Sequence, residues 1–387
     1  MPALDAVRAI GAIGVLGYHV AFNTGLSLHG TWNGLLARLD VGVAIFFVLS
    51  GFLLFRPYAH AAATGAESPP AGRYLWRRAV RILPAYWLTV VVCLTVLPQN
   101  RGAALADWIH HFTLTQIYAP NLIRHGLTQT WSLATEVAFY LVLPLVALAA
   151  LGRRWSPWRA LVVAGGGLVV TAAWVAAMAV GLLDPMIHTM WLPAYAIWFS
   201  AGIALAAVKV ALDTATGPSR WSVVDDLASA PVTCWGLALA LLAIASTPLA
   251  GPRDLTAPTP AQFGAKLAIY IVIAVLVLLP VAFGPVNRVK AAFGGPLARW
   301  LGAISYGIFL WHPLVIDAIF LTDGRWIFTG SPLNTFIATL VGGLLLASIS
   351  YYAVEQPLQR LGLRWPRRRA GSRVESHSAQ PVAITAS

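Results

Sequence analysis

The stretch RAIGAIGVLGYH, Arg8 to His19, decides how the chain is read. Between its two ionisable ends lie ten residues, and all but Tyr18 are Gly, Ala, Ile, Val or Leu. A run this apolar belongs in hydrocarbon, where arginine and histidine are costly and turn towards a cavity or a partner. On a helix, eleven steps of 100° end about 20° past three full turns, so Arg8 and His19 share one face. They stand roughly 16 Å apart along the axis. That face offers an anion-binding cation at one depth and a proton acceptor at another. Each end also has a plainer reading. Arg8 snorkels to lipid headgroups and pairs with Asp5, three residues back, while His19 hydrogen-bonds a neighbouring helix.

Outward from this stretch the chain keeps the same character. Of its 387 residues 58% are hydrophobic and only 10% charged. A soluble domain is about 45–50% apolar and about 25% charged, so lipid must cover most of this surface. The net charge of +12 would suggest nucleic acid in a soluble protein; in a polytopic membrane protein the positive-inside bias accounts for it, and no nucleic-acid partner is expected. Cys93 and Cys234 sit far apart in apolar runs, without disulfide or metal-ligand spacing. They read as small core hydrophobes. The N-terminus lacks a basic n-region, so it reads as a retained first helix rather than a signal peptide.

Ten runs approach the length of about 20 residues that crosses a hydrocarbon core: about 4–22, 39–58, 82–98, 130–151, 158–181, 191–210, 231–250, 261–283, 297–320 and 331–354. Pro84, Pro144, Pro193, Pro280 and Pro313 punctuate them. The predicted fold is all-α, a multi-pass protein of the cell membrane with about ten transmembrane helices. With the N-terminus inside, nineteen of the 26 Lys and Arg fall on inner segments and five on outer ones, which places both termini in the cytoplasm. Residues 1–363 are expected to form one membrane-embedded domain, and 364–387, rich in Arg and Ser, a disordered cytoplasmic tail. The longest outer loop, about 99–129, contains the amphipathic WIHHFTLTQIY, fit to lie on the membrane or fold back over a cavity.

Other ionisable groups gather near the first helix. YLWRRAVRILPAYW puts Arg77, Arg78 and Arg81 at the expected inner start of the third helix. Arg78 and Arg81, three apart, are neighbours that fit either a multiply charged anion or the lipid headgroups. Glu136, in TWSLATEVAFYLVLP, and His312, in ISYGIFLWHPLVID, fall at the depth of His19. Glu136 suits the task of orienting an imidazole, or half of a structural pair; His312 suits a direct role, or a bond to the backbone kinked at Pro313.

At these residues the chain resembles the acyltransferase-3 family of integral membrane O-acyltransferases, from about residue 3 to 360. LDAVRAIGAIGVLGYH is similar to the family's Arg, ten residues, His motif, and GVAIFFVLSGFLLFRPY to its second-helix signature. RRAVRILPAYW resembles its Arg-x-x-Arg segment, TWSLATEVAFY its Trp-Ser-Leu…Glu…Phe-Tyr segment, and LGAISYGIFLWHPL its late-helix signature. The resemblance implies transfer of an acyl group, often acetyl from acetyl-CoA, to a hydroxyl of a sugar, lipid or secondary metabolite. It implies a catalytic His19 with Arg8 as its motif partner, and Arg78 and Arg81 on the phosphates of CoA. Glu136 would orient or compensate His19, and Trp131 and Ser132 would position substrate. Acyl-CoA would be a co-substrate, and neither a tightly bound cofactor nor a metal is expected. Two positions depart from the family: Ala44 replaces an acidic residue, and Val137 a second glutamate. A transporter or flippase would also bury Arg, His and Glu around a cavity, but matching halves are not visible in the sequence.

Overall fold

The computed structural model describes residues 3–29, 32–152, 154–217, 221–252, 256–285, 287–322 and 328–362. The expected tail, 364–387, and Arg153, Arg220, Arg253 and Arg325 lie outside them. The long helices are α1 (Ala3–Asn23), α2 (Val41–Thr64), α3 (Ala71–Val96), α4 (Thr130–Leu151), α5 (Pro157–Ala179), α6 (Leu192–Asp213), α7 (Pro231–Ala245), α8 (Pro260–Ala282), α9 (Pro296–Thr322) and α10 (Pro332–Ser350). No strand occurs among the described residues. Among the described residues, nine helical stretches are long and apolar enough to cross a membrane by themselves, or ten with the bent pair of which α7 is part.

The side chains sort as a membrane solvent demands. On α4, Leu141, Leu145 and Leu148 are 61%, 68% and 74% exposed, a stripe at helical spacing that faces lipid. Ser132, Glu136 and Tyr140, four residues apart, line a cavity on the other side. α2 packs most extensively on α6, and α1 on α9. The α2–α6 crossing rests on two glycines. A Cβ on Gly51 would overlap the Phe199 carbonyl, and one on Gly202 the carbonyl of Val48. Small residues let membrane helices approach this closely. Gly202→Val is therefore expected to destabilise the protein by about 3 kcal/mol, the upper range of overpacking. A melting midpoint in detergent equal to that of the wild type would contradict this.

Two spans differ from expectation. The third was expected over 82–98 with its arginines at the start; α3 instead begins at Ala71. Arg77, Arg78 and Arg81 lie about two to three turns inside it. Hydropathy misses this because Arg78 and Arg81 turn into internal space rather than lipid. The seventh, expected over 231–250, is the pair Ser222–Ala228 and Pro231–Ala245, bent by 79°. Pro231 stands in the first turn of α7, where a missing N–H costs nothing. Pro193, too, opens a helix rather than kinking one. The chain past α10 widens into one π-helical turn, Tyr351–Glu355, before a short helix, Gln356–Gly362.

Candidate active site

His19 and His312 meet between α1 and α9. His312 Nε2 lies 3.0 Å from His19 Nδ1, and His312 is fully buried. The proton positions follow from the other partners. His19 Nδ1 is 3.0 Å from the Val15 carbonyl, and His312 Nδ1 is 3.0 Å from the Ile308 carbonyl. A carbonyl oxygen only accepts, so each Nδ1 carries a hydrogen. His312 Nε2 then holds a lone pair that accepts from His19 Nδ1–H, shared with Val15. Protonated His312 would set two N–H groups against each other. His19 Nε2 is left as an unprotonated acceptor. His19 lines a chamber of about 480 Å³ with Tyr18, Gln99, His125, Trp131 and Asp317. Gln99, His125 and Thr128 belong to the loop after α3, so that loop folds over the chamber. At its rim, His125 Nδ1 is 3.7 Å from Asp317 Oδ2. Hydrogen bonding to that carboxylate holds the His125 imidazolium to a higher pH than usual.

A second cavity, of about 100 Å³, opens on the Arg8 side. Arg8, Arg78, Arg81, Ser50, Glu136 and Tyr140 line it. Arg8 Nη1 donates to Asp5 Oδ1 at 3.1 Å, so the pairing read from sequence and the cavity face both hold for one side chain. Ser50 Oγ donates to Glu136 Oε1. Arg78 Nε is buried without a hydrogen-bond partner among the described residues. A buried guanidinium N–H left open is expensive, and an anion in the cavity would satisfy it. Arg78 and Arg81 also border a groove against Gln359 and Gly362, so a basic surface continues past the cavity.

Aromatic rings run from the Arg8-side cavity to the paired histidines. Phe46 and Phe309 line that cavity. Their ring centroids stand 6.4 Å apart, and Phe309 lies 6.3 Å from the ring of His312.

The structure thus brings together two groups read from the sequence, but not in the expected combination. Glu136 does not orient His19. It lies with Ser50 among the arginines, and His312 holds the imidazole instead. Five helical steps from Trp131 to Glu136 turn about 140°, so Trp131 faces the His19 chamber while Glu136 faces the other cavity. Ser132 joins Glu136 there rather than His19. Sequence reading missed Ser50, Tyr140, Phe46 and Phe309, which look like any core residues in apolar runs. Asp317 had a signal: a carboxylate five residues after His312 within a span.

Comparison with known proteins fits this arrangement. The model of the acyltransferase domain family matches residues 1–352. Peptidoglycan O-acetyltransferase OatA of Listeria monocytogenes is 24% identical over 94% of this chain and 56% of its own length. Nodulation protein 10 of Rhizobium leguminosarum bv. viciae is 27% identical over 92% of this chain and 93% of its own. Exopolysaccharide production protein ExoZ of Rhizobium meliloti is 28% identical over 83% and 90%. This chain thus spans little more than half of the Listeria protein but nearly all of the rhizobial ones. No solved structure matches it. With its paired histidines, its arginine-lined cavity and a family match over nearly its whole described length, the chain belongs to the acyltransferase family, as a multi-pass membrane protein.

Proposed function

We propose that the protein is a membrane O-acyltransferase that moves an acetyl group from acetyl-CoA, held on the Arg8 side, to a carbohydrate hydroxyl on the His19 side. The observation that carries this reading is the His19–His312 pair, which leaves His19 Nε2 as a base facing one chamber, while Arg8, on the same helix face, lines the other. The Lys and Arg distribution supports a cytoplasmic Arg8 side, where acyl-CoA is available. Open guanidinium donors at Arg78 and Arg81 suit the phosphates of CoA. The relatives named for peptidoglycan and exopolysaccharide favour a sugar acceptor.

The chemistry balances as a single displacement. His19 Nε2 takes the proton of the acceptor hydroxyl as its oxygen attacks the thioester carbonyl. The carbon–sulfur bond breaks, an ester forms, and the CoA thiolate recovers the proton from the imidazolium. While His19 is protonated, its Nδ1–H is held by the lone pair of His312, the orienting task that a carboxylate performs in other triads.

For the thioester to reach His19, the Phe46 and Phe309 rings must part. Closed, they keep water from the far chamber off the thioester. Phe309→Ala is therefore expected to raise acetyl-CoA hydrolysis severalfold in the absence of acceptor, read as free CoA thiol. Unchanged hydrolysis would remove the barrier role.

The function itself is tested with membranes containing or lacking the protein, supplied with labelled acetyl-CoA. Label appearing in the glycan fraction and released by mild base, as an ester is, supports the reading. Label that is base-stable, or that enters no glycan, contradicts it.

A further inference from the structure

Beside the His19 chamber lies a second one of about 350 Å³, and Tyr18 and Phe22 line both. Both fall within the size of sites that hold drug-sized ligands, about 300–1,000 Å³. Its walls combine aromatic faces with fixed polar groups. Trp131 of the His19 chamber packs on Tyr195 at 5.3 Å between centroids, and Tyr195 on Phe263 at 6.1 Å. Tyr195 and Phe263 line the second chamber, so one aromatic row runs from the first into the second.

The polar groups are held before any ligand arrives. Arg38, 4% exposed, donates through Nε to the Ala245 carbonyl at 2.8 Å and through Nη2 to Gly251 at 2.5 Å. Lys266 Nζ lies 2.5 Å from Asp40 Oδ2, and Tyr270 donates to Asp40 Oδ1 at 2.6 Å. Ser27 is different: it is 2% exposed, lines the chamber, and its hydroxyl has no hydrogen-bond partner among the described residues. A buried hydroxyl left open requires a partner from outside the chain.

We propose that this second chamber is a saccharide subsite, holding the sugar unit next to the one acylated at His19. The proposal rests on the acyltransferase reading above. Pyranose rings suit such walls: their C–H faces stack on aromatic rings, and their hydroxyls can donate to or accept from the Ser27 hydroxyl and accept from Lys266 Nζ. An acyl chain does not suit them, because Ser27 Oγ would stay unpaired against hydrocarbon. Two adjoining chambers with shared walls therefore select a chain of sugars over a single one.

Equilibrium dialysis of the full protein in lipid nanodiscs tests this, with chitotetraose and N-acetylglucosamine as probes. The wild type is expected to bind the tetramer at least about tenfold tighter than the monomer, which is 1.4 kcal/mol. Ser27→Trp, which fills the chamber, and Phe263→Ala, which removes a stacking face, are each expected to abolish that difference and leave monomer binding in place. Equal binding of both probes by the wild type, no saccharide binding, binding of decanol in their place, or an unchanged ratio in both variants would overturn the subsite. His19→Ala separates the two readings. It should keep the length preference while losing transfer; transfer that persists in it overturns the catalytic assignment and leaves the subsite standing on its binding ratio.

Discussion

Replacing His19 with alanine is expected to lower acyl transfer by about 10²–10⁴-fold, the usual contribution of a positioned general base, while acetyl-CoA binding stays intact. The expectation follows from the geometry. His19 Nε2 is the nitrogen left without a proton once the carbonyls of Val15 and Ile308 have fixed both Nδ1–H groups. The same logic grades substitutions at His312. His312→Phe removes the lone pair that steadies the imidazolium. A hydrogen bond to a charged group contributes about 1.5–3 kcal/mol, so kcat should fall roughly ten- to a hundredfold with the KM for donor unchanged. His312→Gln, which restores an acceptor oxygen, should recover part of that loss. A purely structural His312 would instead lower the yield of folded protein in both variants and leave the kcat of what remains unaltered.

The second large effect is expected at the other end of α1. Arg78→Ala combined with Arg81→Ala should weaken acetyl-CoA binding by about 10²–10⁴-fold, taking about 1.5–3 kcal/mol for each charge-assisted contact. Competition binding with labelled acetyl-CoA reads this directly. Arg77→Ala is the internal control. Arg77 is exposed and borders only the groove beyond the cavity, so its loss should change donor affinity by less than about threefold, as expected of a surface charge. A double variant that binds donor like the wild type would move the donor site away from this cavity. A double variant that fails in binding while His19→Ala does not would divide the protein into a donor half and a chemical half.

The sequence carried the membrane fold and the shared face of Arg8 and His19 because both follow from period and hydropathy within one helix. It carried the pairing of Arg8 with Asp5 for the same reason. What it did not carry was anything set by the rotation of one helix against another. Glu136 and Trp131 lie on one short stretch, yet about 140° of helical turn sends them to different cavities. Only packing reveals that His312, from almost three hundred residues away, takes the place beside His19. The start of α3 was hidden because arginines end a hydropathy run whether or not they end a helix. The bend before α7 was hidden because Pro231 is as compatible with a straight start as with a 79° turn.

The account turns on one catalytic nitrogen placed between two sides of a membrane, so a sided assay tests it most directly. Proteoliposomes would carry glycan extract on the His19 side and receive labelled acetyl-CoA on one face at a time. The account predicts base-labile label on the glycan when donor reaches the Arg8 side only, and its loss in His19→Ala with donor binding preserved. Transfer at the wild-type rate by His19→Ala, or transfer from donor offered only on the His19 side, would contradict it.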